Sequence, residues 1–224
     1  MKYKRILLSL LVIFMFMTIS GCSGNKAETT QDIQKETGPA EETVSETQEQ
    51  TDKKILVVFF SRTGEQYNVG VIDKGNTAIV AEMISEKTGA DLFEILPETD
   101  YYPYTYSELT DVAKKEQNDN ARPAYQGSID LSDHDVIFIG APVWWGDWPM
   151  IMYTFFENND LSGKTLIPFN THEGSGLSGF DKKLQAACKD SDVLEGLAIR
   201  GKDAQNDQDS VRSKVDAWIE KLGY

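Results

Sequence analysis

The run Ile55-Leu56-Val57-Val58-Phe59-Phe60, closed by Ser61-Arg62-Thr63-Gly64, decides the fold. Six consecutive apolar side chains leave no polar face, so a strand here suits a parallel sheet covered on both sides. Asp135-Val136-Ile137-Phe138-Ile139-Gly140 has the same character and also stops in a loop. Leu92 to Leu96, Thr165 to Phe169 and Val193 to Ile199 are three shorter strand candidates. Helical patterns lie between and after them. Thr77 to Lys87 puts Ile79, Val80, Met83 and Ile84 on one stripe, Met150 to Phe156 is largely apolar, and Leu177 to Ala187 carries Phe180, Leu184 and Ala187. Asp209 to Leu222 places Val211, Val215, Trp218, Ile219 and Leu222 at helical spacing. This alternation predicts right-handed crossovers and an α/β fold, a doubly wound three-layer sandwich around one five-stranded parallel sheet.

Outward from that domain the composition changes. The 224 residues carry 22 Lys and Arg against 36 Asp and Glu, a net charge of −14, which argues against a nucleic-acid partner because the phosphates would be repelled. Two cysteines, Cys22 and Cys188, cannot build a disulfide framework or a cysteine-rich zinc site, and His134 and His172 leave little for a histidine-based metal site. Lys2, Lys4 and Arg5 precede an apolar run from Ile6 to Ile19. As a helix that run reaches only about 21 Å, short of the roughly 30 Å of a bilayer core but right for a signal-peptide core. Ile19-Ser20-Gly21-Cys22 resembles the lipobox of bacterial lipoproteins. The resemblance implies a signal peptide over 1–21, a lipidated Cys22 and a membrane anchor outside the cytoplasm; the competing reading is an uncleaved anchor helix with an incidental Cys22. Residues 23–52 hold no aromatic side chain and eight acids against two lysines, so they read as a flexible acidic tether that cannot offset its ordering entropy by burial. The working domain is 53–224. Within it, Cys188 beside Ala186 and Ala187 reads as a buried, inert thiol.

In such a sheet the ligand sits beyond the carboxyl ends of the strands, where strand order reverses. Three loops therefore matter. Ser61-Arg62-Thr63-Gly64 follows the first strand, and a helix begins near Asn76-Thr77; hydroxyls, a glycine and free N–H groups at a helix N-terminus suit a phosphate, although the same tetrapeptide makes an ordinary turn elsewhere. Ala141-Pro142-Val143-Trp144-Trp145-Gly146-Asp147-Trp148-Pro149 gathers three of the chain's four tryptophans. Trp144 and Trp145 suit stacking on a flat conjugated ligand, against a competing reading as packing or a protein-contact patch, and Trp148 reads as packing. Thr171-His172-Glu173-Gly174-Ser175-Gly176 offers backbone donors and hydroxyls. His172 and Glu173 are candidates for proton transfer there, with a plain exposed turn as the alternative. The cluster Tyr101, Tyr102, Tyr104 and Tyr106 precedes a helical stretch and either packs over the sheet or lines a groove.

With these residues in place, Lys54 to Leu222 resembles the flavodoxin-like family that binds FMN, in its Trp-Trp-Gly variety. The likeness rests on Phe60 to Gly64, Ala121-Arg122-Pro123, Pro142 to Gly146, Thr154-Phe155-Phe156-Glu157 and Gly174-Ser175-Gly176. It implies strand order 2-1-3-4-5 and a non-covalent FMN. By position it implies a phosphate cradle of Ser61, Arg62, Thr63, Gly64, Asn76 and Thr77. Pro142, Val143, Trp144, Trp145 and Gly146 would flank the isoalloxazine, and Thr171, His172, Glu173, Gly174, Ser175 and Gly176 would contact its other edge. Two departures stand out. Eleven residues, 65–75, separate Gly64 from Asn76 where the family's loop runs on without a break, long enough to cover the flavin or form a partner surface. His172 and Glu173 stand where relatives carry smaller side chains.

These readings predict an electron-transfer flavoprotein on the outer face of a bacterial membrane, passing electrons to a redox protein or a small-molecule acceptor. An NAD(P)H-dependent quinone or small-molecule reductase is the alternative, mildly disfavoured because no G-x-G-x-x-G fingerprint is present; a flavin-free binding module on the same scaffold is the third. From Lys53 onward 17 basic and 28 acidic residues give a net charge of −11, which predicts a low potential for the fully reduced flavin and steering of a basic partner.

Overall fold

The computed structural model describes residues 53–224; the apolar N-terminal run, Cys22 and the acidic tether lie outside the described residues. In chain order the elements are β1 (Ile55–Phe59), β2 (Gly64–Gln66), β3 (Gly70–Ile72), α1 (Asn76–Thr88), β4 (Asp91–Glu94), α2 (Tyr106–Asn118), β5 (Val136–Pro142), α3 (Met150–Asn158), β6 (Thr165–His172), α4 (Phe180–Ala187), β7 (Asp192–Val193), β8 (Leu197–Arg200), α5 (Gly201–Asn206) and α6 (Gln208–Lys221).

The main sheet is wholly parallel and runs β4-β1-β5-β6-β7, with β8 also on β6. Counted among the strands of this sheet, the order is the expected 2-1-3-4-5, and β2–β3 form a separate antiparallel hairpin. The buried runs behave as an apolar strand covered on both faces must. Leu56, Val58, Phe60, Ile137, Ile139 and Ala141 enter a core beneath α2, α3 and α4. Their alternates Val57, Phe59, Val136 and Phe138 enter a second core beneath α1, α5 and α6 with Ile79, Val80, Met83, Ile84, Val211 and Trp218. Trp148 is 1 % exposed and stacks on Phe180 at 3.8 Å between ring centroids, the packing role expected of it.

The expectation of five strands is corrected to six. Val193 to Ile199 is not one strand but two, both parallel to β6. The break has a chemical cause in Pro168. Leu194 N–H donates to the Leu166 carbonyl, and the next rung would need an N–H at position 168, which proline lacks. Gly196 lies at the break, where a Cβ would come within 2.8 Å of the Pro168 carbonyl. Two elements are additional to those expected: the β2–β3 hairpin, which occupies much of the eleven-residue insertion, and the short α5.

Two motifs behind the family likeness meet away from the strand ends. Arg122 pairs with Glu157 through Nε at 2.8 Å to both carboxylate oxygens and lies over the Tyr153 ring. They pin the loop after α2 to the end of α3.

Candidate functional site

The carboxyl ends of β1, β5 and β6 open into a cavity of about 490 Å³. Its walls include Asn76 from α1, Pro142 at the end of β5 with Val143, Trp144, Trp145 and Gly146 beyond it, and Thr171 and His172 at the end of β6 with Glu173 and Ser175 beyond it. Two of the three loops picked out in the sequence thus supply walls directly, and the first closes one end by supporting α1.

That support is specific. Ser61 Oγ accepts the N–H of Ala78 at 3.0 Å, and Gly75 O accepts that of Ile79. The amides of Asn76 and Thr77 are then the first-turn donors without an acceptor from the helix, and no acid stands in that turn. A Cβ on Gly75 would fall 2.1 Å from Ser61 Oγ and 2.7 Å from the Arg62 carbonyl, so only glycine lets the two segments approach. Thr77 and Thr171 are both buried and share a hydroxyl hydrogen bond of 2.8 Å, which ties the helix start to β6.

Other members of the expected cradle are committed elsewhere. Arg62 donates to Asp100 and to the Tyr102 carbonyl, each at 2.9 Å, and its guanidinium covers the Tyr102 ring. Gly64, at φ +91°, begins the hairpin beneath Tyr104, and Thr63 lends its carbonyl to Gln66. Ser61, Arg62, Thr63, Gly64, Thr77, Gly174 and Gly176 are not wall residues of the cavity.

The second loop is a tight reversal. Trp144 and Asp147 exchange both backbone hydrogen bonds at 3.0 Å, with Trp145 (φ +51°) and Gly146 (φ +72°) between them. Such a turn prefers Asn-Gly, and a bulky residue held left-handed costs about 1–2 kcal/mol. Trp145 nevertheless stands there 53 % exposed, held by Nε1–H donation to the Thr110 carbonyl and by Lys114 above its ring. Backbone strain of this kind gathers at ligand sites, and here it falls on an exposed side chain of the cavity wall. Trp144 is half-buried and packs edge-on against Phe60 and Tyr102.

In the third loop His172 Nδ1 accepts the Gly174 N–H at 2.9 Å. The neutral ring then carries its proton on Nε2. Burial, with Arg200 nearby, holds the imidazole below its ordinary value, against the opposing pull of Glu173 and Asp203. Glu173 is spent on structure: Oε1 accepts the Lys202 N–H at 2.7 Å at the start of α5, and Oε2 lies 3.4 Å from Arg200 Nε, an ion pair without hydrogen-bond geometry. Gln205 of α5 donates to Asn76 Oδ1 at 2.8 Å, so the unexpected helix braces two cavity walls.

Six wall residues stand outside the expected site: Tyr106 belongs to the tyrosine cluster read as packing or groove lining, Gln66 and Tyr67 belong to the insertion read as a cover or partner surface, and Leu109, Thr110 and Ala113 of α2 escaped sequence reasoning. Tyr106 lines the cavity, whereas Tyr102 is buried and donates to Glu116 with Tyr101. Among the described residues no cluster of metal-ligating side chains occurs and no helix is long and apolar enough to cross a membrane.

A parallel sheet of this order with a helix N-terminus and two aromatic or glycine-rich loops at its carboxyl edge defines a flavodoxin-like architecture. The sequence profile of the Flavodoxin family matches residues 54–222, and the chain belongs to that family. It is similar to a protein of Bacteroides eggerthii assigned as a flavoprotein, with 31 % identity over 76 % of this chain and 98 % of that one and a TM-score of 0.60. A second such protein, from Bacteroides uniformis, shares 30 % identity over 75 % and 98 % of the two chains, also at 0.60. A Lactobacillus acidophilus flavoprotein crystallised in complex with FMN has the same fold, at 24 % identity over 70 % and 99 % and a TM-score of 0.54. No curated protein sequence matches the chain.

Proposed function

We propose that the cavity binds FMN and that the protein is an electron-transfer flavoprotein, held outside the cytoplasmic membrane by lipid on Cys22. The carrying observation is the convergence of an unencumbered helix N-terminus, a strained exposed tryptophan and a glycine-rich loop on one cavity of about 490 Å³. The amides of Asn76 and Thr77 suit the phosphate, with Ser61 fixing the helix that presents them. Pro142 to Gly146 and Thr171 to Ser175 suit the ring system, with the His172 Nε2–H and the Ser175 hydroxyl as donors. FMN supplies one- and two-electron chemistry; the protein chain sets its potential and access.

The electrostatics support a low potential for full reduction. The net charge from Lys53 onward is −11, His172 is held neutral and Arg200 is engaged by Glu173, so the wall residues offer no free cation to an anionic flavin. The same charge would steer a basic redox protein. The exposed aromatic walls also favour a second reading, a reductase of small molecules.

Purified protein titrated with FMN should turn yellow, quench flavin fluorescence and show a two-electron potential below that of free FMN. A colourless protein in excess FMN overturns the cofactor reading, and a potential above free FMN overturns the electrostatic one. Mass spectrometry of the membrane-extracted chain should find diacylglycerol on Cys22, and Cys22→Ala should release it from membranes.

A further inference from the structure

The insertion carries a feature that the FMN reading leaves unassigned. Glu65 fastens the hairpin to the start of α2 twice, its N–H donating to the Tyr104 carbonyl and its carboxylate accepting the Tyr106 N–H, each at 2.9 Å. This places Tyr67 of the hairpin turn beside Tyr106, rings stacked at 5.5 Å and inclined by 27°. Both line the cavity, 53 % and 37 % exposed, with Leu109 and Ala113 behind them and Trp145 also on the wall. The cavity therefore has a polar end, at Asn76, Thr171 and Ser175, and an aromatic end built by the insertion and α2.

We propose that this aromatic end is a separate subsite for a neutral, planar electron acceptor of the quinone class, seated against Tyr67 and Tyr106 next to the flavin. The inference rests on the FMN reading and names the acceptor for that same cavity. Exposed tyrosine faces and aliphatic walls match a flat apolar ring, and phenolic hydroxyls match its carbonyl oxygens. Charge selects against the other planar redox molecule, a nicotinamide dinucleotide. The titratable wall residues are Tyr67, Tyr106, His172 and Glu173; burial holds His172 below its ordinary value, and the cations that touch wall residues are each engaged, Lys114 over Trp145, Arg200 beside Glu173, and Lys183 on the Gly146 carbonyl and Asp147. A pyrophosphate would meet no free cation, whereas an uncharged quinone needs none. In the reaction the quinone would take up two electrons and two protons to give the hydroquinone; the anionic reduced flavin would supply both electrons and one proton in returning to the oxidised form, and water would supply the second proton.

The test uses the full chain in detergent, loaded with FMN, reduced by dithionite without oxygen and mixed rapidly with menadione or, separately, with cytochrome c as a basic protein acceptor. Reoxidation by menadione should saturate with its concentration. In Tyr67→Ala and Tyr106→Ala the ratio of menadione rate to cytochrome rate should fall at least tenfold with FMN retained, and Tyr67→Phe should restore most of it. A yellow protein whose menadione rate stays linear in concentration, or whose two rates fall together, overturns the subsite alone. Rapid reduction of the oxidised protein by NADPH overturns the charge argument. A protein that stays colourless overturns the FMN reading and this inference with it.

Discussion

The two ends of the cavity are made differently. At the polar end the residues that fix the start of α1 and the end of β6 are half-buried or buried and tied down: Ser61 to the Ala78 amide, Thr77 to Thr171, Gln205 to Asn76, Glu173 to the start of α5. At the aromatic end Tyr67, Tyr106 and Trp145 keep large exposed faces. The first arrangement pre-pays the ordering of donors for a fixed, charged group; the second leaves surface for a partner whose identity can vary. Stability and recognition should therefore be coupled at one end and separable at the other.

Substitutions can break that contrast, beginning with the largest effect. Gly75→Ala drives a methyl into Ser61 Oγ and the Arg62 backbone. It should cost about 1–3 kcal/mol, read by thermal melting, and weaken FMN binding at least a hundredfold, read by fluorescence titration. Glu173→Ala removes the acceptor of the Lys202 amide and the partner of Arg200. A loss of about 1–3 kcal/mol is expected, with Glu173→Gln recovering part because its carbonyl still accepts. Ser61→Ala should cost about 1 kcal/mol, as the loss of a hydroxyl cap does. At the other end, Tyr67→Ala should stay within about 0.5 kcal/mol of the parent. A melting shift for Tyr67→Ala as large as that for Ser61→Ala would erase the distinction.

The smallest effect sharpens it through pH. Folding lowers the affinity of His172 for its proton, because burial and Arg200 disfavour the cation. Below its ordinary pKa, about 6.5, the unfolded chain takes up a proton that the folded one resists, so this group withdraws stability as the medium is acidified and none above that range. Stability measured from pH 7.5 down to 5.5 should fall less steeply in His172→Gln than in the parent.

Much of this was legible in the chain itself because burial on both faces leaves so plain a mark. Ile55 to Phe60 and Val136 to Gly140 could only be covered strands, and their carboxyl ends located two walls of the cavity. The fifth strand was misread because a residue on the neighbouring strand, Pro168, cancels its middle rung, and a linear reading of Val193 to Ile199 contains no trace of that. The hairpin escaped for a related reason. Its strands are three residues each, too short for alternation, and Glu65 secures it through backbone groups forty residues away. Arg62 and Gly64 sit in the expected motif, yet tertiary contacts with Asp100, Tyr102 and Tyr104 claim them.

Cys188 closes the account from an unexpected side. It is 7 % exposed, and burial pushes its thiol up to about 11, so almost no thiolate is available to alkylating reagents while the fold is closed. It is the one cysteine among the described residues. Its labelling rate in the purified protein, followed by mass spectrometry of the peptide that carries it, is thus a built-in clock for opening of the α4 region.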